Sequence, residues 1–182
     1  IVSGQGLLST DGMSNAALIN GVEPDLETKV SALGTKMTVG KLSSLVPGKF
    51  RIVLGEGLAA NLGVMVGDKV NVITPKVSMT PVGIIPRFKQ FTVVGVFHVG
   101  SGFGFDNSYA FINMQDAERL FMTAGHVTAL QIKLKDLFLA PKVSSLLQAK
   151  LGPDYLLSDW TDQFGAFYHA VQMEKNMMFL IL

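Results

Sequence analysis

Residues 48–75, GKFRIVLGEGLAANLGVMVGDKVNVITP, decide how the rest of the chain is read. A β-rich run at Lys49–Leu54 follows the Pro47-Gly48 turn signal. GEGLAANLG comes next, with Leu58 and Leu62 four residues apart on one helical face. Gly63 is placed to end that helix in the left-handed conformation that glycine adopts without penalty. VGDKVNVIT then turns at Gly67-Asp68 into a strand with Val70, Val72 and Thr74 on one face.

Immediately downstream, TPKVSMTPVGIIPRF (Thr74–Phe88) departs from the pattern of a core strand. It holds three prolines, which exclude a helix interior or a central strand, yet it is as apolar as a core segment. KQFTVVGVFHV then returns as a strand, so the two runs form a long-armed hairpin with a proline-rich tip. Connections of this length in compact domains are usually functional or disordered. Between Asp68 and Asp106 there is no Asp or Glu, whereas Lys69, Lys76, Arg87 and Lys89 all fall there. One reading is a basic loop face with no partner. The other is a stiff apolar hairpin with Arg87 and Lys89 at its base, offering anchor and steering elements to a protein partner. Proline lowers the ordering cost of such a contact.

Outward from this hairpin, Ile1–Ser9 and Asn15–Val22 alternate as strands around an Asp11-Gly12 turn. Asp25–Leu45 suggests a short helical turn and a strand or loop. Asn107–Asn113 reads as a strand, Gln115–Met122 as a short helix and His126–Lys133 as an alternating strand. Pro141 opens a helix with Val143, Leu146, Leu147 and Leu151 as its stripe. A short strand at Tyr155–Leu157 precedes a last helix capped by Ser158 or Asp159, with Trp160, Phe164, Phe167 and Val171 on one face. The fold class is α+β: a β-rich middle, 47–105, inserted between flanks 1–46 and 106–172 that alternate strand and helix.

The 182 residues are enough for a real core, and a net charge of +1 provides no global field to recruit nucleic acid or a membrane surface. With no cysteine, disulfides, thiolate metal sites and thiol catalysis are excluded. IVSGQG has neither an initiator Met nor a signal-peptide pattern, and NMMFLIL is a rising apolar run without a cap, so both ends read as cut. That run is either a helix end tucked into a core or the first turns of a membrane helix, which needs roughly 20 residues to cross.

No constellation supports catalysis. His98, His126 and His169 have no metal-ligand spacing and read as structural or surface residues. GSGFGF (Gly100–Phe105) runs into Asp106 and a strand rather than a helix N-terminus with Lys and Ser or Thr, so it is no phosphate loop. Asp116 and Glu118 suit a helix start, and Glu56 and Asp68 flank turns. The expectation is a non-enzyme with no cofactor, no metal and no nucleic-acid partner.

The 48–75 stretch, TPVGIIP (Thr80–Pro86) and AVQMEKNMM (Ala170–Met178) together resemble the periplasmic domain of LolC/LolE-type permeases. These are the membrane subunits of lipoprotein-releasing ABC transporters, related to the MacB family. The resemblance covers most of the chain. It implies a MacB-like periplasmic core domain lying between two transmembrane helices of the bacterial inner membrane and facing the periplasm. A discontinuous α/β Porter lobe (1–46 and 106–172) would carry an inserted β-rich Sabre lobe (47–105), with 173–182 as a stalk into the second membrane helix. It further implies a Hook at 75–86 that docks the chaperone LolA, carried by Pro75, Met79, Pro81, Val82, Gly83, Ile84, Ile85 and Pro86. Beside it would lie a basic pad of Asn71, Arg87, Phe88 and Lys89, although Phe88 stands where a polar residue is expected and Asn71 where a basic one is. Implied partners are LolA, a lipoprotein substrate, a second permease subunit and the cytoplasmic ATPase LolD, which would hydrolyse ATP. FHVGSGFGFDNSYAFINMQDAERLF (Phe97–Phe121) is closer to LolE, so the mixture points to a hybrid LolF-type subunit. The alternative is a MacB-like efflux or FtsX-like regulatory module that binds another envelope protein.

Overall fold

Asp11-Gly12 makes the turn expected of it, with Gly12 at φ +88°. It joins β1 (Val2–Thr10) to β2 (Met13–Val22), which pair antiparallel from Val2↔Gly21 to Thr10↔Met13. The computed structural model describes residues 1–80, 83–100 and 104–181. Residues 76–80, 83–87, 163, 166–169, 172, 175, 176 and 179–181 are described in backbone only. Contacts divide the chain into two units, Ile1–Ile132 and Lys133–Leu182.

In the first unit, α1 (Pro24–Val30) and two short 3-10 turns lead through β3 (Met37–Gly40) to β4 (Arg51–Gly55). Helix α2 (Glu56–Leu62) ends at Gly63, φ +65°, as the sequence requires. Strands β5 (Lys69–Thr80) and β6 (Gly83–Phe97) form the long hairpin, and α3 (Phe105–Ser108), β7 (Tyr109–Asn113) and α4 (Met114–Phe121) complete the unit. The sheet order is β3-β6-β4-β7-β2-β1-β5, and β5 also pairs with β6. That last pairing closes six strands into a ring with β3 appended to β6.

Alternation along the strands splits the core in two. Ile52 and Leu54 join a cluster with Val70, Val72, Phe91, Val93 and the inner faces of α2 and α4. Val53, between them, faces the other way onto Val22, Leu33, Leu42, Leu45 and Phe97. A strand buried on both faces needs neighbours and cover on both, and this explains why 47–105 does not stand apart from 1–46. β4 pairs with β7, and β5 with β1, inside one sheet. The division between units falls after Ile132 rather than at 46/47 or 105/106.

His126–Lys133 is not a strand. The Thr128 and Ala129 N–H groups donate to the Ile1 carbonyl, the Ile1 amine donates to Ala129 O and Ser3 N donates to the Thr128 hydroxyl, but among the described residues no strand ladder forms. Leu130 is 83% exposed, so its alternation has no sheet face to bury. Tyr155–Leu157 likewise forms no strand.

The second unit holds α5 (Ala140–Leu151), with Pro in its first turn, and α6 (Trp160–Ile181), kinked at Phe164. Asp159 caps α6: its Oδ1 accepts from Thr161 N at 2.8 Å, while its own N–H donates to Asp162 Oδ2 at 2.9 Å. Among the described residues, no helix is long and apolar enough to cross a membrane.

Candidate functional site

The long hairpin changes character partway along. β5 pairs with β1 only at Asn71–Ile73, and β6 pairs with β4 only from Thr92 onward. Beyond those rungs, among the described residues, each strand has the other as its sole strand partner, down to Thr80↔Gly83. The result is a two-stranded ribbon leaving the ring.

Its register slips once. Thr74 faces Arg87 but Val77 faces Pro86, so Pro75 and Lys76 are the extra residues of a bulge. Proline fits there because a bulge position need not donate to the ladder. Pro81 and Val82 lie outside the described residues, as do the side chains of Met79, Ile84, Ile85, Pro86 and Arg87. The Hook expected at 75–86 is therefore described here as backbone, with Gly83 in its last rung and Pro75 exposed.

At the root of the ribbon the side chains are described. Phe88 is 69% exposed, and Lys89 and Gln90 are exposed beside it. Asn71, expected in the pad, is half-buried on β5 opposite Gln90. Lys89 Nζ sits 4.0 Å from the centre of the Phe50 ring, a cation–π contact. The same ring meets Phe91 edge-on at 5.6 Å.

The sequence reading puts Phe50 inside the β-rich run Lys49–Leu54, but β4 begins only at Arg51, and the position of Phe50 before it has a cause. Its φ is +48°, the left-handed region, which costs a bulky residue about 1–3 kcal/mol unless neighbours over-determine it. Here they do. Asp116, wholly buried at the start of α4, accepts from Gly48 N at 2.9 Å and from Phe50 N at 3.1 Å. On the other side Thr92 N donates to Phe50 O at 2.9 Å. The expectation that Asp116 merely suits a helix start thus misses its main work, which is to fix the turn that aims Phe50 at β6. Bonds across 66 and 68 residues leave no local trace in a sequence.

Around this ring lies an open depression of about 540 Å³, lined by Lys49, Lys69, Lys89, Phe50, Phe88, Gln90 and Thr92. It sits where β6 rises above the first residue of β4, with Lys69 paired to Thr92 from one side and Arg51 from the other.

Two other features were judged on the sequence. His98 Nδ1 lies 2.8 Å from Glu56 Oε2 and 3.0 Å from Asp106 Oδ2, carboxylates that spacing does not bring together. Asp106 also accepts from Val99 N and Gly100 N, so the trio ties the end of β6 to α2 and α3. Residues 101–103 lie outside the described residues; after them Gly104 opens the short helix α3 where the sequence reading expects a strand, and the buried Asp106 carboxylate in its first turn repels phosphate. Among the described residues, no group of His, Cys, Asp and Glu could hold a metal ion.

Comparisons with known proteins give the fold a family. The model of the MacB-like periplasmic core domain matches residues 1–150, and the chain belongs to that family. Within it the domain is of the LolC type. It is 43% identical over all 182 residues to the lipoprotein-releasing system transmembrane protein LolC of Neisseria meningitidis serogroup B. The chain spans 44% of the length of that relative. LolE of Haemophilus influenzae is 23% identical over 183 aligned positions, covering all of this chain and 43% of its own. Over its whole length the chain is thus more similar to that LolC than to that LolE. The extracellular domain of the noncanonic ABC-type transporter YknZ from Gram-positive bacteria superposes with a TM-score of 0.51. It covers 83% of this chain and 73% of its own at 14% identity, an agreement in fold alone.

Proposed function

We propose that the chain is the periplasmic domain of a permease subunit of a lipoprotein-releasing ABC transporter at the bacterial inner membrane, and that its β5–β6 ribbon docks the lipoprotein chaperone LolA. In this reading the domain catalyses no reaction. ATP is hydrolysed by cytoplasmic LolD, a second permease subunit completes the membrane part, and 173–182 leads toward a membrane helix.

The observation that carries the reading is the ribbon. An isolated two-stranded hairpin is marginally stable in water and adds little to a core. A domain that extends one beyond its closed ring, stiffened by prolines, gains a contact element rather than stability. The exposed Phe88 and Lys89 at its root supply an apolar anchor and a charge. The similarity to LolC supplies the class of partner.

Titrating LolA into the chain by calorimetry, wild type against Pro81→Glu, tests the reading. A charge placed at the apolar end of the ribbon is expected to weaken binding at least about tenfold. Equal affinity for the two chains would remove the ribbon from the docking surface.

A further inference from the structure

Helix α1 carries a carboxylate that the fold covers and does not use. Glu27 is only 4% exposed, yet among the described residues no hydrogen bond or ion pair reaches its side chain. Its cover comes from packing. Helix α1 lies against the 3-10 turns Leu33–Lys36 and Leu42–Ser44, whose Leu33 and Leu42 belong to the second core cluster. Lys36 and Lys41, on and beside those turns, are exposed and bridge to no carboxylate among the described residues. The fully enclosed polar side-chain atoms without a partner are there Thr74 Oγ1 and Thr123 Oγ1, so the Glu27 oxygens keep an opening to solvent. The stem is covered, and the charged end meets water at the mouth of a recess.

The rest of the helix deepens the imbalance. Glu23 precedes Glu27 by four residues, and its side chain neither caps α1 nor makes an ion pair. Like charges one helical turn apart repel. A covered charge without a partner is costly, and a helix of seven residues offsets little of that cost through its dipole. Two carboxylates fall short of a metal group, and none is present among the described residues. What answers such a recess is an organic cation. Arginine fits it better than lysine, because a planar guanidinium is the more weakly hydrated and meets a carboxylate with two parallel N–H donors. Leu26, the neighbouring position, is 57% exposed and offers apolar surface beside the charge.

We infer that Glu27, with Glu23 one turn away, receives an arginine side chain of a partner protein, while Leu26 meets an apolar residue next to that arginine. The site belongs to α1, which has no part in the ribbon, so it stands independently of the docking reading above.

The test titrates the full chain with acetyl-Leu-Arg-Leu-amide and follows the backbone amide resonances, with the matching citrulline peptide as the uncharged control. The arginine peptide is expected to shift the amides of α1 and of 41–45 saturably. The citrulline peptide, and the arginine peptide on Glu27→Gln, are expected to bind at least about tenfold more weakly. No shift on α1, or an equal response to citrulline or from Glu27→Gln, overturns the site. Thermal unfolding without peptide separates a binding carboxylate from a structural one. Glu27→Gln is expected to raise Tm by about 2–4 °C, because an unpaired charge leaves the recess. An unchanged or lower Tm shows that the fold already satisfies the carboxylate, and it overturns the site as well.

Discussion

The two halves of the β5–β6 hairpin share a backbone and little else. In the ring half, Val70, Val72, Phe91 and Val93 are almost wholly buried, and β1, β3 and β4 flank the pair. In the ribbon half, each strand has only the other, and the root residues Phe88, Lys89 and Gln90 lie in solvent. Burial on both faces dictates what the first half can be. In the second half no third strand pairs with the two among the described residues, so no ring position dictates its sequence. One hairpin thus carries stability at one end and, in the proposed function, recognition at the other.

That division can be broken most strongly from the ring side. Phe91→Ala removes a buried ring shared by the core and Phe50, and is expected to cost about 3–5 kcal/mol in urea unfolding. Asp116→Ala comes next. It leaves the Gly48 and Phe50 N–H groups without their acceptor, for about 2–3 kcal/mol, and faster amide exchange at those two residues should accompany the loss. Replacing 75–86 by a two-residue turn should change stability by less than about 1 kcal/mol, because a two-stranded ribbon is marginal on its own. The smallest effect belongs to Phe88→Ser, within about 0.5 kcal/mol by the same denaturation. A larger loss there would show that the exposed ring packs on the body, and the contrast between the halves would blur.

Much of the ring could be read from the chain. Asp11-Gly12, the Leu58/Leu62 stripe with Gly63 and the alternation of β5 and β6 are local signals with local causes, and all appear where expected. What could not be read is closure. Nothing in 47–105 says that β5 will pair with β1, so the segment looks like an insertion when it is part of one ring. The site divides the same way. The basic, proline-rich hairpin stands out in sequence through Arg87 and Lys89. The Phe50 turn does not, because a left-handed phenylalanine is held by a carboxylate 66 residues away. His98 meeting Glu56 and Asp106 is equally a product of topology. His126–Lys133 shows the converse: a good alternating pattern whose bonds to β1 and its flank stop at Ile1 and Ser3 among the described residues.

The most direct test of a hairpin divided between stability and recognition is calorimetric titration of LolA into the chain with 75–86 replaced by a two-residue turn. The account predicts that this chain unfolds as the wild type does and has lost its affinity for LolA. Wild-type affinity in the shortened chain would contradict it.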